Sequence, residues 1–318
     1  MTETLPAPDY EFKRLDAGRL TDMQRLLQRS FGLKIPLNDI AAKYATQPFG
    51  KQYVGYLAYQ VGDPQPAAYY GVFPLRFWVG DRTILVAQSG DTMTDPDHRK
   101  RGLFTRTAER AYTLAEKEGV QFVFGFPNQY SYPGFKRKLA WEFTGHMRDF
   151  SFKTQAIPLA GLAGRFAALR GLYRRWVDRK LRQYAMDFAE AERAFAAPEI
   201  PQVHKDAEFF RYKAFSGAVP IRFREFVLYV KVDGQLIVGA VAPFPENKTA
   251  DFLSGIRQLA QRLGCQKCLF SVSENHWLCA RLAGHLESEE GLPIGFRDFG
   301  SGLDLSRFVF SRADFDTF

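Results

Sequence analysis

Apolar residues recur every three or four positions over residues 16–31, at Leu20, Met23, Leu27 and Phe31, which is the period of a helix with one face on a core. Gly32 predicts its end. The period then shortens. Residues 53–61 and 67–79 are rich in aromatic and β-branched side chains and are parted by Gly62-Asp63-Pro64, so they predict two strands joined by a turn. Gly80-Asp81 leads into a third strand over residues 83–93, completing an antiparallel meander. The helical period returns at residues 102–117, with Phe104, Ala108, Ala111, Leu114 and Ala115 on one face and Gly119 beyond it. Residues 121–125 are short and nearly all apolar, as in a strand buried on both faces. Pro127-Asn128 breaks that run, and a short helix and a strand over residues 143–152 follow.

Residues 158–197 predict a mostly helical connector, whose apolar stripe Leu162, Phe166, Leu169, Tyr173 and Trp176 either packs on a neighbour while arginines fill the solvated face or lies with them against a membrane surface or nucleic acid. The last third repeats the earlier order. Strands over 226–232 and 235–241 flank Asp233-Gly234, a helix spans 250–263, and a buried strand spans 268–272. The frame from Gln121 to Asn128 superposes on that from Cys268 to Asn275, which one internal repeat explains. The expected organisation is a domain at 10–155, a basic helical connector at 156–204 and a second domain at 205–318. Each domain is of mixed α+β class, a mostly antiparallel twisted sheet flanked by helices.

A chain of 318 residues, 46% apolar and 25% charged, has the composition of a globular protein with room for two domains. Its net charge of +8 is local. Residues 165–182 hold seven bases and one acid, and residues 97–106 hold four bases and one acid. Local basicity points to particular anionic contacts and argues against a general nucleic-acid partner. Three cysteines cannot build a disulfide framework, which suggests a reducing compartment. Met1 to Pro6 is polar and proline-broken, unlike a leader, and no apolar run approaches the ~20 residues of a membrane helix. The expectation is a cytoplasmic protein without membrane insertion.

The most informative stretch is Thr94-Asp95-Pro96-Asp97-His98-Arg99-Lys100-Arg101-Gly102-Leu103-Phe104. It leaves a predicted strand, is basic, carries a glycine and opens a helix. Free N–H groups at a helix start attract an anion, and Gly102 lets the backbone come close, so a pyrophosphate is the natural guest. Here the sequence resembles the GNAT superfamily of acyl-CoA-dependent N-acyltransferases, whose pyrophosphate loop reads Arg/Gln-x-x-Gly-x-Gly/Ala. Arg99, Gly102 and Phe104 take those three positions, with Phe104 departing from the small third residue. Asn128, Phe135 and Leu139-Ala140-Trp141 resemble the superfamily's next motif, where an Asn contacts the cofactor and a Tyr sits on the helix. The resemblance covers residues 10–155, and more faintly 206–318 as a degenerate second copy in which Pro243-Phe244-Pro245-Glu246-Asn247-Lys248 replaces the phosphate loop. It implies a GNAT-like fold in both halves and one acetyl-CoA per chain, held by Met93, Thr94, Arg99, Lys100, Arg101, Gly102, Leu103, Phe104 and Asn128.

Acetyl transfer to a primary amine needs the neutral amine, which for a lysine-like group costs roughly 4–5 kcal/mol at pH 7, so a general base is useful. Asp91 is the candidate base. In the superfamily the strand before the phosphate loop supplies the backbone donor for the developing oxyanion, which places it at Met93-Thr94. Phe135 stands where the family's thiolate acid is a Tyr and has no proton to give, leaving Tyr130 and Tyr132 as substitutes; Tyr132 precedes Pro133 and is expected to be extended. Cys265, Cys268, His276, Cys279 and His285 have ligand-like spacing, but the repeat spreads them over a helix–strand junction and the following helix, so no metal is expected.

The function expected is therefore an N-acetyltransferase moving the acetyl group of acetyl-CoA to a primary amine. Two alternatives stand beside it: a protein that senses acyl-CoA without turnover, motivated by Phe135, and an aminoacyl-tRNA-dependent aminoacyltransferase of the peptidoglycan type, in which the basic connector would meet RNA. The acceptor amine and the oligomeric state are not written in the sequence.

Overall fold

The helical pattern at residues 16–31 resolves into two pieces. A 3-10 turn at Ala17–Arg19, capped by the Asp16 carboxylate, runs into α1 (Leu20–Phe31), and Gly32 ends α1 in the left-handed region at φ 70°. The computed structural model describes residues 9–197 and 199–318, so the leader reading at Met1 to Pro6 lies outside the described residues. The chain divides into two units, each taken by itself below. Unit 1 holds the described residues to Arg76, Ile84–Phe143 and Gly295–Leu303; unit 2 holds Phe77–Thr83, Thr144–Ile294 and Asp304–Phe318.

In unit 1, β1 (Tyr10–Arg14) pairs antiparallel with β2 (Val54–Gln60). Between them lie α1 and α2 (Leu37–Lys43), a helix too short to stand out by period. β2 pairs antiparallel with β3 (Pro66–Val79), and β4 (Arg82–Thr94) is next in order. Gly55 faces Gly71 across the β2–β3 pair because a Cβ on either would fall on the Tyr69 phenol. A parallel neighbour for β4 requires a crossover, which α3 (Leu103–Lys117) supplies on the way to β5 (Phe122–Gly125). On the other side of β5 runs Gly295–Asp298, antiparallel, from Gly295↔Gly125 to Asp298↔Phe122. α4 (Tyr132–Lys138) and the start of β6 (Glu142–Lys153) close the unit.

The sheet of unit 1 is covered on both faces. Tyr69 and Tyr70 are consecutive on β3 and point opposite ways. Tyr69 packs with Met23, Leu26, Tyr44 and Met93 under α1 and α2, whereas Tyr70 packs with Ala108, Ala111, Tyr112, Phe135 and Trp141 under α3 and α4. Alanines at 108, 111 and 115 let α3 lie close to the sheet.

In unit 2, β6 pairs antiparallel with β11 (Lys267–Ser273), which is parallel to β10 (Leu236–Val241) across the crossover helix α9 (Thr249–Arg262). β9 (Phe226–Val232) and β8 (Val219–Phe223) extend this sheet antiparallel. β7 (Gln202–Val203) pairs with Phe77 and Trp78, and β12 (Ser288–Asp298), whose last residues serve unit 1, lies beside β6. The helices α5 (Leu159–Arg165), α6 (Ala167–Arg182), α7 (Phe188–Phe195), α8 (Ala207–Lys213) and α10 (Trp277–Ala283) complete it. The strand–helix–strand parallel unit therefore occurs twice, as β4–α3–β5 and β10–α9–β11.

The connector stripe is a correction. Among the described side chains Ala160, Ala163, Val177 and Leu181 are the buried residues of α5 and α6, with Tyr173 and Trp176 packed against the same core, while Leu162, Phe166 and Leu169 are exposed. A break at Phe166, which is extended at φ −112° and ψ 105° between the helices, resets the phase, so a stripe counted through it does not stay on one face.

Candidate active site

β4 pairs with β5 at only two positions, Ala87↔Val123 and Gln88↔Phe124. β5 ends one residue later at Gly125 while β4 continues to Thr94. Ser89, Gly90, Asp91, Thr92 and Thr94 are half-buried along this divergence, and Met93 turns into the core with 2% of its surface exposed. Asp91 has φ 39°, a left-handed conformation rare for a residue with a side chain. Such a wedge offers unpaired strand N–H and C=O groups to an extended, amide-bearing chain.

Past Thr94 the chain is held tightly. The Asp95 backbone N–H donates to Ala67 O at 2.9 Å, and the buried Asp95 carboxylate caps the 3-10 turn Pro96–His98 by accepting from the Asp97 N–H at 3.0 Å. Arg29, in the last turn of α1, grips both oxygens of Asp95 and reaches Asp97 at 2.9 Å. That clamp holds the Asp95 carboxyl below its ordinary range, the Arg29 hydrogen bond being the main cause. Tyr10 Oη ties His98 Nδ1 at 2.9 Å and accepts from Arg101 at 3.0 Å.

The segment that follows opens α3. Lys100 at φ 62° and Gly102 at φ 73° are both left-handed, and no side chain caps the helix at Gly102. The N–H groups of the first turn are therefore left to solvent or to an anion. The first turn of α3 contains no acid. Arg99 and Lys100 are exposed, and their side chains make no ion pair among the described residues. Leu103 is buried with Tyr10, Ala58, Ala67 and Ala68, anchoring the loop from below. Phe104 fills the space over Gly134, where a Cβ would come within 2.8 Å of its ring, and meets Phe135 edge-on at 5.2 Å. A large residue at that position thus docks α4 on α3.

The other sequence candidates take distinct places. Asn128 Oδ1 accepts the N–H groups of Tyr130 and Ser131 at 3.0 and 3.1 Å, shaping the turn into α4. Tyr130 is 85% exposed. Tyr132 is the first residue of α4, not extended as expected: its N–H donates to Asn128 O at 2.9 Å, and Pro133 sits in the first helical turn, where a missing N–H costs nothing. Its ring lies on Phe143 at 4.5 Å. Phe135 is core, 4.5 Å from Trp141. Asp91 is engaged by two residues of the α2 region: Lys43 Nζ donates to Oδ1 at 2.6 Å, and Tyr44 Oη donates to Oδ2 at 2.8 Å. Burial, reinforced by the Asp91 charge, pushes the Tyr44 phenol well above its ordinary range.

Sequence reasoning missed Lys43 and Tyr44 because nothing local couples α2 to β4. It also missed a buried chain of polar groups at the root of the wedge. Trp141 Nε1–H donates to Tyr112 Oη at 2.9 Å, Tyr112 Oη lies 2.8 Å from Tyr70 Oη, and Tyr70 Oη lies 2.7 Å from Ser89 Oγ. These residues are scattered over β3, β4, α3 and the residue just before β6.

In unit 2 the repeat has diverged. Asn275 Nδ2 donates to the carbonyls of Ser306 and Phe308, so it staples the C-terminal segment, unlike Asn128. Pro243 and Pro245 precede a 3-10 turn that feeds α9, whose first turn carries Asp251 within 3.5 Å of Lys248. Cys265, Cys268 and Cys279 are buried, with burial pushing each thiol up. Among the described residues no helix is long and apolar enough to cross a membrane.

Residues 11–144 match the family described as acetyltransferase (GNAT) domain. A GCN5-related N-acetyltransferase from Kribbella flavida superposes with a TM-score of 0.56 at 17% identity, covering 91% of this chain and 72% of the other. One from Anabaena variabilis gives a TM-score of 0.54 at 10% identity, covering 91% and 73%. At these identities the likeness is one of fold. No curated protein matches this chain.

Proposed function

From the chain's membership of the GNAT superfamily through residues 11–144, we propose that unit 1 transfers the acetyl group of acetyl-CoA to a primary amine of a small molecule, sugar or peptide. One observation carries the reading: the wedge between β4 and β5 is followed, after the clamped 3-10 turn Pro96–His98, by the uncapped start of α3. The pyrophosphate sits on the N–H groups of Leu103 and Phe104, beside Arg99, Lys100 and Arg101, where the helix dipole and the cations act together. Asn128 follows three residues after the end of β5, the other strand of the wedge. The pantetheine arm adds to the open edge of β4 as an extra strand, with the Met93-Thr94 backbone pairing with the arm's amides.

The amine must shed a proton before it attacks. Asp91 is the base, its lone pairs oriented by Lys43 and Tyr44. Nitrogen attacks the thioester carbon, the C–N bond forms, the C–S bond breaks with its electron pair on CoA sulfur, and the second nitrogen proton passes to water as the amide forms. Tyr130, being exposed, and Tyr132, at the helix start, are the phenols nearest in sequence to the buried Phe135. A sensing role without turnover is the rival reading, since Phe135 lacks a hydroxyl.

Calorimetry with acetyl-CoA, followed by a thiol-release screen over amines, tests the proposal. Binding with thiol release for at least one amine supports it. Binding without release under any amine favours the sensor, and absence of binding sinks both.

A further inference from the structure

The buried chain at the root of the wedge has a direction. An indole N–H can only donate, so Tyr112 Oη accepts from Trp141 and has one hydrogen of its own to place. Tyr70 Oη is the acceptor within reach at 2.8 Å. Were Tyr70 to donate to Tyr112 instead, the Tyr112 hydrogen would be buried without an acceptor, an arrangement that proteins avoid. Tyr70, having accepted, donates onward to Ser89 Oγ at 2.7 Å. The order is therefore Trp141 to Tyr112 to Tyr70 to Ser89, and the Ser89 hydroxyl, already an acceptor, has its own hydrogen left to give.

Ser89 stands at a particular place. It is the first residue of β4 beyond the last pair with β5, Gln88↔Phe124. It is half-buried, and Gly125 opposite leaves it room, since a Cβ there would lie 3.2 Å from the Ser89 Cβ and 3.1 Å from Trp141. From Thr94 back to Ser89 is at most about 17 Å of strand, shortened where Asp91 turns left-handed. The arm from pyrophosphate to sulfur in acetyl-CoA has about thirteen bonds, a little over four residues' worth of extended chain, or about 15 Å. Leu103 packs in the cluster with Ala67, whose carbonyl accepts the Asp95 N–H, so α3 starts beside the end of β4, and an arm anchored there and laid along β4 brings its sulfur to the stretch between Asp91 and Ser89.

Resting on the function proposed above, we propose that the Ser89 hydroxyl donates a hydrogen bond to the sulfur of CoA, holding the departing thiolate, and that Tyr70, Tyr112 and Trp141 are positioning residues that fix its direction. This supplies the group that Phe135 cannot. Burial pushes the Tyr70 and Tyr112 phenols up, so they keep their protons. The chain therefore orients and polarises Ser89 and does not relay a proton. The C–S bond breaks with its electron pair on sulfur, and the thiolate takes its proton from water after release.

The test titrates the thiol of bound CoA by its thiolate ultraviolet absorbance, with acetyl-CoA affinity measured in parallel. In the wild-type chain the bound thiol should ionise below free CoA. Ser89→Ala should raise that midpoint by about one pH unit, a tenfold change in ionisation. Tyr70→Phe should raise it by less, and Ser89→Thr should restore it. Acetyl-CoA affinity should stay within about twofold in all three. Binding retained with one midpoint common to wild type, Ser89→Ala and Tyr70→Phe would overturn the Ser89 assignment alone. Failure of the wild-type chain to bind acetyl-CoA or CoA would overturn the parent reading and this one together. If Ser89→Ala fails to fold, Tyr70→Phe, which leaves Ser89 in place, decides by the same midpoint.

Discussion

Lys43 Nζ lies 2.6 Å from Asp91 Oδ1, and both side chains are more than four-fifths buried, at 18% and 15% exposure. This pair couples a short helix with no sequence signature to the strand proposed to carry the chemistry. Removing one partner leaves the other charged in a half-dry place, so Lys43→Met should cost about 1.5–3 kcal/mol, the range for a hydrogen bond to a charged group. The double variant Lys43→Met/Asp91→Asn should cost less than the two single costs summed, as denaturant unfolding would report. Additive costs would mean that the pair contributes nothing.

Asp91→Asn should lower the maximal rate of thiol release most at neutral pH and less at high pH, where the free amine is already abundant. A pH–rate profile checks this. A rate reduced equally at every pH would assign Asp91 a structural part only.

Lys100 holds φ 62° with its side chain in solvent. Lys100→Gly removes a charge from the loop while relieving a conformation that costs an L-residue about 1–2 kcal/mol. Acetyl-CoA affinity should fall several-fold while the melting temperature does not fall. Calorimetry and thermal unfolding on the same sample give both numbers, and unchanged affinity would remove Lys100 from the site.

One acetyl-CoA should bind per chain. α3 begins with left-handed Gly102 and no acid, whereas α9 follows two prolines and carries Asp251 in its first turn. A carboxylate there already occupies the positive end of the helix dipole and repels a second anion. Calorimetric stoichiometry of two equivalent sites would contradict this.

His276 caps α10 by accepting the Leu278 N–H on Nδ1 at 3.1 Å. Burial, with a smaller push from Lys205, lowers its pKa to about 3. Above about pH 6.5 neither the folded nor the unfolded chain protonates it, and its contribution to stability is constant. As pH falls from there toward 3 the unfolded chain takes up a proton that the folded chain refuses, so stability drops by up to about 1.4 kcal/mol per pH unit. His276→Asn, which can still cap, should flatten that slope in denaturant unfolding between pH 6 and 4. An unchanged slope would place the acid sensitivity elsewhere.

The sequence alone determined the strands and helices whose periodicity was unbroken. It also marked the basic loop that opens α3, because a glycine, flanking cations and a helix start are all local. Periodicity records which face of an element is buried but not what buries it. Only the tertiary structure set Gly295–Asp298 beside β5, gave Asp91 its Lys43 partner and joined Trp141, Tyr112, Tyr70 and Ser89 into one directed chain. Each of these depends on hydrogen-bond partners far apart along the chain, and a hydroxyl or a strand edge carries no mark in sequence of the partner that folding brings to it. The exposed stripe Leu162, Phe166 and Leu169 shows the converse, because one extended residue between two helices was enough to move a well-spaced apolar pattern off the core.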